Sequence, residues 1–121
     1  MRAAYGLLAA AVISGMTLTG ASAGQQDFVL ANRTGYQIEE VYVSKTSTSS
    51  WENDVLGDDV LNHGKSVKIR FASGTRGCMY DLKVVYADGD KAEWGRINLC
   101  EVSKVTIFYN RRTGETRAET E

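Results

Sequence analysis

The residues best suited to chemistry in this sequence form a carboxylate cluster between positions 52 and 59. Hard cations such as Ca²⁺ bind several oxygen ligands held close together, so one prediction is a calcium site built from Asp54, Asp58 and Asp59. The spacing matches no EF-hand, and Asp88 and Asp90 would add ligands only if their loop meets the same end of the molecule. The alternative is a solvated acidic loop, in which case the chain needs no cofactor.

The single histidine, His63, is the only candidate of its type for a general base. It lies in a turn-like segment, residues 62–64, and the members of a Ser-His-Asp triad need not be neighbours in the sequence. However, the chain contains no G-x-S-x-G motif and no recognisable pair of catalytic carboxylates. We therefore expect an exposed turn histidine, no catalytic residue and no enzyme activity.

Large aromatic side chains are the second group of candidate functional residues. Trp94, Trp51 and Tyr86 could form a binding surface for a sugar, a peptide or another protein. A domain this small must use most of its large apolar groups in its core, so packing is the alternative. Charged residues surround Trp94 in the sequence, which makes it the best contact residue if its side chain is exposed.

Residues 1–23 have the features of a secretory signal peptide. Arg2 precedes an apolar run over residues 7–13, and Ala21-Ser22-Ala23 is a small-residue cleavage pattern. A retained membrane anchor is the alternative, but the apolar run is too short to span a bilayer as a helix. We therefore expect a periplasmic or secreted protein that begins at Gly24 and has no membrane segment after cleavage.

Export determines how the two cysteines are interpreted. In an oxidising compartment, Cys78 and Cys100 are expected to form a disulfide. Two cysteines and one histidine do not supply the four ligands of a structural zinc site. The segment between the cysteines alternates in polarity and contains Asp88-Gly89, which is typical of a β-hairpin with a tight turn.

Short alternating segments separated by turns continue through the rest of the chain. We predict strands near residues 27–32, 38–44, 60–61, 67–71 and 102–109, and one helical turn over residues 50–56, where Ser49 and Glu52 have capping-box spacing. The pattern predicts an all-β fold, a small antiparallel β-sandwich of six or seven strands. The sandwich domain should cover residues 24–110, and residues 111–121 should form a frayed polar tail or a weak edge hairpin.

Several segments together resemble a known family. They are FVLANRTGYQIEEVYVS at the start, the loop WENDVLG, CMYDLKVV, and NLCE around the second cysteine. They resemble a family of small exported bacterial β-domain proteins of unknown function with an N-x-T-G-x-x-I opening, a W-x-x-D-x-L-G loop and two cysteines. Some members carry an argininosuccinate lyase label, but that enzyme is a large, mainly helical tetramer. The resemblance implies no catalytic or binding residues.

These observations predict an exported, non-catalytic binding or structural module. The alternatives are a calcium-binding module that uses the acidic 52–59 loop and a periplasmic enzyme inhibitor, the latter by fold-level analogy. The formal net charge of −1 argues against a nucleic-acid partner, because such binding needs a concentrated basic face. An envelope protein is the expected partner, and the sequence leaves the oligomeric state open.

Overall fold

The computed structural model describes residues 24–121, so the predicted signal peptide lies outside the described residues. Seven strands make up the fold: β1 (Phe28–Asn32), β2 (Ile38–Lys45), β3 (Ser66–Ile69), β4 (Met79–Tyr86), β5 (Lys91–Asn98), β6 (Lys104–Asn110) and β7 (Glu115–Thr120). In this part of the chain, no helix is long and apolar enough to cross a membrane. The predicted all-β fold is confirmed.

The strands form two sheets that pack face to face. The first sheet, here called sheet A, has the order β3-β1-β6-β7, and the second, sheet B, has the order β2-β4-β5. All pairs are antiparallel except β1 and β6, which run parallel with Val29 opposite Lys104. The sandwich is therefore antiparallel in all but one pairing, which lies at the centre of sheet A.

The core lies between the two sheets and follows the alternation of the sequence. In β4, the side chains at every second position are buried, as expected for a strand with one face covered. The same pattern places the inner residues of β1 and β6 against them. Fully buried core side chains include Phe28, Leu30, Ile38, Val41, Leu82, Val84, Tyr86, Leu99, Val105 and Ile107.

The predicted hairpin and disulfide are both confirmed. Strands β4 and β5 pair from Val85 opposite Lys91 to Met79 opposite Asn98. Gly89 in the connecting turn has φ of 93°, a conformation that glycine adopts without a steric penalty. Cys78 and Cys100 are bonded, with Cα atoms 5.2 Å apart. The disulfide therefore closes the open end of the hairpin.

The helical turn predicted over residues 50–56 is wrong. Residues 51–54 have no regular structure and residues 55–58 form a turn. The backbone N–H of Glu52 donates to the Ser44 hydroxyl (3.0 Å), so the neighbouring strand holds this segment in place of a helical backbone hydrogen bond. The strand predicted at residues 60–61 is reduced to a single bridge between Leu61 and Ile38.

The C-terminal segment forms an edge strand. Strand β7 pairs with β6 from Val105 opposite Thr120 to Asn110 opposite Glu115. Of the two predicted alternatives, the edge hairpin is the one observed, so the sandwich extends past Asn110. Near the start of β2, a β-bulge between Ile38 and Glu40 shifts the register. The bulge allows Ile38 and Val41, which simple alternation placed on opposite faces, to be buried together.

Candidate binding surface

Residues 54–61, here called the 54–61 loop, are fixed to the outer edge of β2. One carboxylate oxygen of Asp54, Oδ1, accepts hydrogen bonds from the backbone N–H groups of Val41 (2.8 Å) and Leu56 (3.0 Å). The N–H of Val55 donates to the carbonyl of Val41 (2.8 Å). Asp54 therefore acts as a brace between a strand and a loop.

The far end of the loop is fixed in the same way. Leu61 and Ile38 exchange two backbone hydrogen bonds, both 2.9 Å long. Leu56 and Leu61 are buried, with 8% and 4% of their surfaces exposed, so each end of residues 57–60 is anchored in the core. These contacts also cover backbone groups on the edge of β2 that would otherwise lack a partner.

Between these anchors, the loop exposes apolar and acidic side chains. Val55 is 45% exposed and Val60 is 44% exposed, the highest values among large apolar residues in the part of the chain that the structure describes. Asp58 and Asp59 are also exposed and lie between the two valines in the sequence. The loop thus combines a fixed backbone with a mixed apolar and acidic surface.

The structure gives no support to the predicted calcium site. Among residues 24–121, no group of three or more His, Cys, Asp or Glu side chains is placed to hold a metal ion. Asp54 uses one oxygen to brace the loop, and the structure does not bring Asp58 and Asp59 together with it as a ligand set. The expected second contributors, Asp88 and Asp90, instead face Arg111.

A groove separates the 54–61 loop from β3. Its volume is about 360 Å³, and Val55, Val60 and Val67 supply apolar surface to it. Asp59 lines the loop side of the groove, and Lys65 lines the side next to β3. Since β3 is the end strand of sheet A, the groove runs beside an unpaired strand edge.

The predicted binding aromatics lie apart from one another. Trp94 is partly buried and lines a second groove between the edges of β5 and β7. Trp51 is partly buried on the outer face of sheet B, where Lys83 Nζ lies 5.3 Å from its ring centroid. No shared surface is formed by these two residues.

The prediction of Tyr86 as a binding residue is wrong, because its side chain is completely buried. Its ring stacks on Tyr109 with centroids 5.2 Å apart, and burial raises the pKa of its hydroxyl to about 12. The alternation that Tyr86 shares with Leu82 and Val84 was the sequence signal for this position.

His63 connects two turns. Its Nδ1 accepts a hydrogen bond from the backbone N–H of Gly35 (2.9 Å), and its side chain is exposed in the turn, as predicted. The contact joins the turn after β1 to the turn before β3. His63 therefore has a structural contact in this fold, and the absence of enzyme activity remains a prediction.

Arg111 is a residue whose role the sequence did not reveal. Its guanidinium carbon lies 3.8 Å from the ring centroid of Tyr36, and Nη1 lies 2.5 Å from Asp88 Oδ2. The pKa of Asp88 is lowered, first by the hydrogen bond from the backbone N–H of Asp90 and further by Arg111. Arg111 therefore links the β6–β7 turn to the β4–β5 turn across the end of the sandwich.

Comparisons with known proteins support the fold and go no further. No model of a protein family matches the sequence, and no curated protein matches it. Among solved structures, the chain is similar to "NMR structure of the protein from Eubacterium rectale", with a TM-score of 0.58 and 14% identity over 87% of this chain and 94% of that chain. At this identity, the similarity concerns the fold alone, and the family resemblance stays a prediction.

Proposed function

We infer that this chain is an exported binding module that contacts another protein through the 54–61 loop. The observation that carries the proposal is the exposure of Val55 and Val60 on a loop whose backbone is fixed at both ends. Val55 and Val60 line one groove together with Val67, so their exposed apolar surface is contiguous, and contiguous apolar surface favours a contact role.

The fixed backbone supports this role for an energetic reason. Ordering a flexible loop on binding costs free energy, and a loop that is already ordered avoids much of that cost. Asp54 and the bridge between Ile38 and Leu61 supply that order here. The neighbouring Asp58 and Asp59 add charge, which favours a partner with basic groups around an apolar contact area.

Export is supported by two features of different kinds. Residues 1–23 have the pattern of a signal peptide, and Cys78 and Cys100 form a disulfide, a bond that persists mainly in oxidising compartments. The proposed location is therefore periplasmic or extracellular, where the partner would be another envelope or secreted protein.

An enzyme inhibitor is the narrower form of the same proposal. A braced loop that projects apolar side chains is also what an inhibitor presents to the cleft of an enzyme. The two forms differ in one result: an inhibitor lowers the activity of the captured partner in proportion to the amount bound, whereas a scaffold module leaves that activity unchanged.

Site-specific photo-crosslinking in the producing cell tests the proposal. A benzophenone amino acid at Val60 should give one discrete crosslinked species, and the same group at exposed Lys91, on β5, should not. The species should disappear when Val55→Asp is added, because a charge in an apolar contact is strongly unfavourable. Identical products from both positions, or products insensitive to Val55→Asp, would overturn the proposal.

A further inference from the structure

The outer edge of β3 carries backbone groups that have no strand partner. The last residue of β1 donates its backbone N–H to the carbonyl of Lys65 (2.9 Å). Bonding residues alternate along an antiparallel strand, so Val67 and Ile69 also bond to β1. Ser66 and Lys68 therefore direct their N–H and C=O groups away from β1, towards the free edge of sheet A.

The other three sheet edges are obstructed. The edge of β2 is covered by the 54–61 loop, and the edge of β5 is interrupted by a bulge at which Arg96 has φ of 58°. The edge strand β7 alternates acidic and basic side chains on its outer face. An irregular edge resists the addition of another strand. The mixed charges of β7 would place like charges opposite some side chains of any charged strand that was added. Among the four sheet edges of residues 24–121, β3 alone combines a regular free edge, side-chain charge of a single sign and a groove lined by valines.

Charge restricts which segment fits this edge. From Val60 to Tyr80 the sequence contains no acidic residue, and Lys65, Lys68 and Arg70 are exposed around β3. Within residues 24–121, none of these three side chains forms an ion pair. A second copy of this chain would place like charges opposite one another, which is destabilising for directly opposed residues of a sheet.

We propose that β3 binds an extended segment of the partner protein as an added antiparallel strand, and that this segment alternates apolar and acidic residues. The apolar side chains would enter the groove against Val60 and Val67, and the acidic side chains would lie beside Lys68 on the outer face of sheet A. This inference rests on the proposed contact of the 54–61 loop and names the segment that lies next to it.

Amide exchange measured by NMR on the full domain tests strand addition. The probe is the capped peptide Val-Glu-Val-Glu-Val, added at millimolar concentration to the oxidised protein. The amides of Ser66 and Lys68 should exchange more slowly with the peptide bound, because their N–H groups then have acceptors. The amides of Val67 and Ile69, already bonded to β1, should keep their rates. Unchanged exchange at Ser66 and Lys68 would overturn the proposal.

N-methylated peptides supply a matched control for the backbone contact. In the proposed register, the glutamates lie opposite Ser66 and Lys68 and exchange hydrogen bonds with them. Methylation of the glutamate nitrogens should therefore abolish binding, whereas methylation of the central valine nitrogen should leave most of it. Equal binding of the two methylated peptides would show that the peptide contacts side chains only and would contradict an added strand.

A charge exchange tests the identity of the segment. The peptide Val-Lys-Val-Lys-Val should bind about fivefold more weakly than the glutamate peptide, and Lys68→Glu should reverse this order. Lys104→Glu is the control, because Lys104 is on the same face but separated from β3 by β1. A preference of the wild-type protein for the lysine peptide would mean that Asp59 governs the groove and would overturn the acidic assignment.

The two proposals fail in different ways. Crosslinks from Val60 that persist while the β3 amides are unaffected by peptide would leave the loop contact in place and remove the added strand. Protection of Ser66 and Lys68 without any specific crosslink from Val60 would retain strand addition by β3 and remove the 54–61 loop as the contact element.

Discussion

Arg96 is the only non-glycine residue with a positive φ in the part of the chain that the structure describes. Its backbone N–H donates to Asp81 Oδ1 (3.0 Å), which also accepts a hydrogen bond from the Thr46 hydroxyl (2.7 Å). The left-handed conformation is unfavourable for a side chain with a Cβ atom. The hydrogen bond to the Asp81 carboxylate therefore holds Arg96 in a strained conformation within the β5 bulge.

Replacing Arg96 by glycine should stabilise the protein. Arg96→Gly removes the Cβ clash while keeping the N–H bonded to Asp81, so the free energy of unfolding should rise by about 1 kcal/mol. Denaturant unfolding measures the change. Arg96→Ala is the control: it removes the same charge but keeps the strain, and it should give no gain. Equal effects of the two substitutions would contradict the strain.

The buried amide of Asn32 joins the turn after β1 to the turn before β3. Its Nδ2 donates to the carbonyls of Tyr36 (2.8 Å) and Leu61 (2.9 Å), and its Oδ1 accepts from the backbone N–H of Thr34 (3.0 Å). The Thr34 hydroxyl also donates to Oδ1 (2.6 Å). Both donors and both acceptor sites of the amide therefore have partners.

Asn32→Asp should destabilise the protein by about 3 kcal/mol or more near neutral pH. An ionised carboxylate cannot donate to the two carbonyls and is itself buried without a cation. The loss should shrink at low pH, where a protonated carboxyl recovers one donor. Asn62→Asp is the control, because its exposed Oδ1 only accepts a hydrogen bond from Gln37 (2.8 Å). Unfolding curves at several pH values check the difference, and a pH-independent loss would contradict this account.

Apart from the disulfide, the sequence predicted contacts between near neighbours and missed those between distant residues. The turn in which Asn32 accepts a hydrogen bond from residue 34 was predictable, because asparagine bonds to the backbone two residues on. Its contact with Leu61 was not, since that depends on how the turns before β2 and β3 pack together. Arg111, similarly, looked like a solvated residue because its partners lie in other turns.

At the scale of elements, the strands follow from local alternation, whereas their order does not. The β4–β5 hairpin was predictable because its turn and both strands are contiguous in the sequence. The parallel pairing of β1 with β6 joins segments more than seventy positions apart, and no local pattern encodes it. For the same reason, neither the 54–61 loop as a brace for β2 nor the groove beside β3 was predicted.

The disulfide should contribute strongly to the stability of the hairpin and its neighbours. The double substitution Cys78→Ala and Cys100→Ala removes the bond between two residues that are 22 positions apart. The free energy of unfolding should fall by about 3 kcal/mol, because the unfolded chain gains conformational freedom. For a domain of this size, that corresponds to a fall in Tm of about 12–24 °C. Thermal melts of the variant and of the reduced wild-type protein should agree, and an unchanged Tm in both would contradict the prediction.

Arg111 should stabilise the sandwich in a pH-dependent manner. Arg111→Ala removes the contact with Tyr36 and the ion pair with Asp88. The pKa of Asp88 is lowered in the folded state. The ion pair therefore contributes to the free energy of unfolding at pH values above 3.8, the ordinary pKa of this carboxyl. This contribution is lost as the pH falls through the lowered pKa.

The difference in unfolding free energy between wild type and Arg111→Ala should therefore be largest near neutral pH and smaller in acid. Denaturant unfolding across this pH range measures it, and Arg112→Ala, at the exposed neighbouring position, is the control. A difference that grows in acid would contradict the assigned ion pair.

At the scale of the whole molecule, the proposed export makes a direct prediction about the processed chain. Protein recovered from the envelope or medium should begin at Gly24 and carry the Cys78–Cys100 bond, because Ala21-Ser22-Ala23 fits a signal-peptidase site. Intact mass measurement before and after reduction checks both points. Recovery of a chain that retains residues 1–23, or of one with two free thiols, would contradict export by this route.

The central position of β1 has a consequence for when the protein can fold. β1 lies between β3 and β6, so sheet A lacks one of the two neighbours of its first strand until residues 104–110 are present. Nearly the entire chain must leave the ribosome before this sheet closes, and long-range pairings of this kind form slowly. For a chain exported as proposed, this delay would favour an unfolded state during passage through a translocation channel.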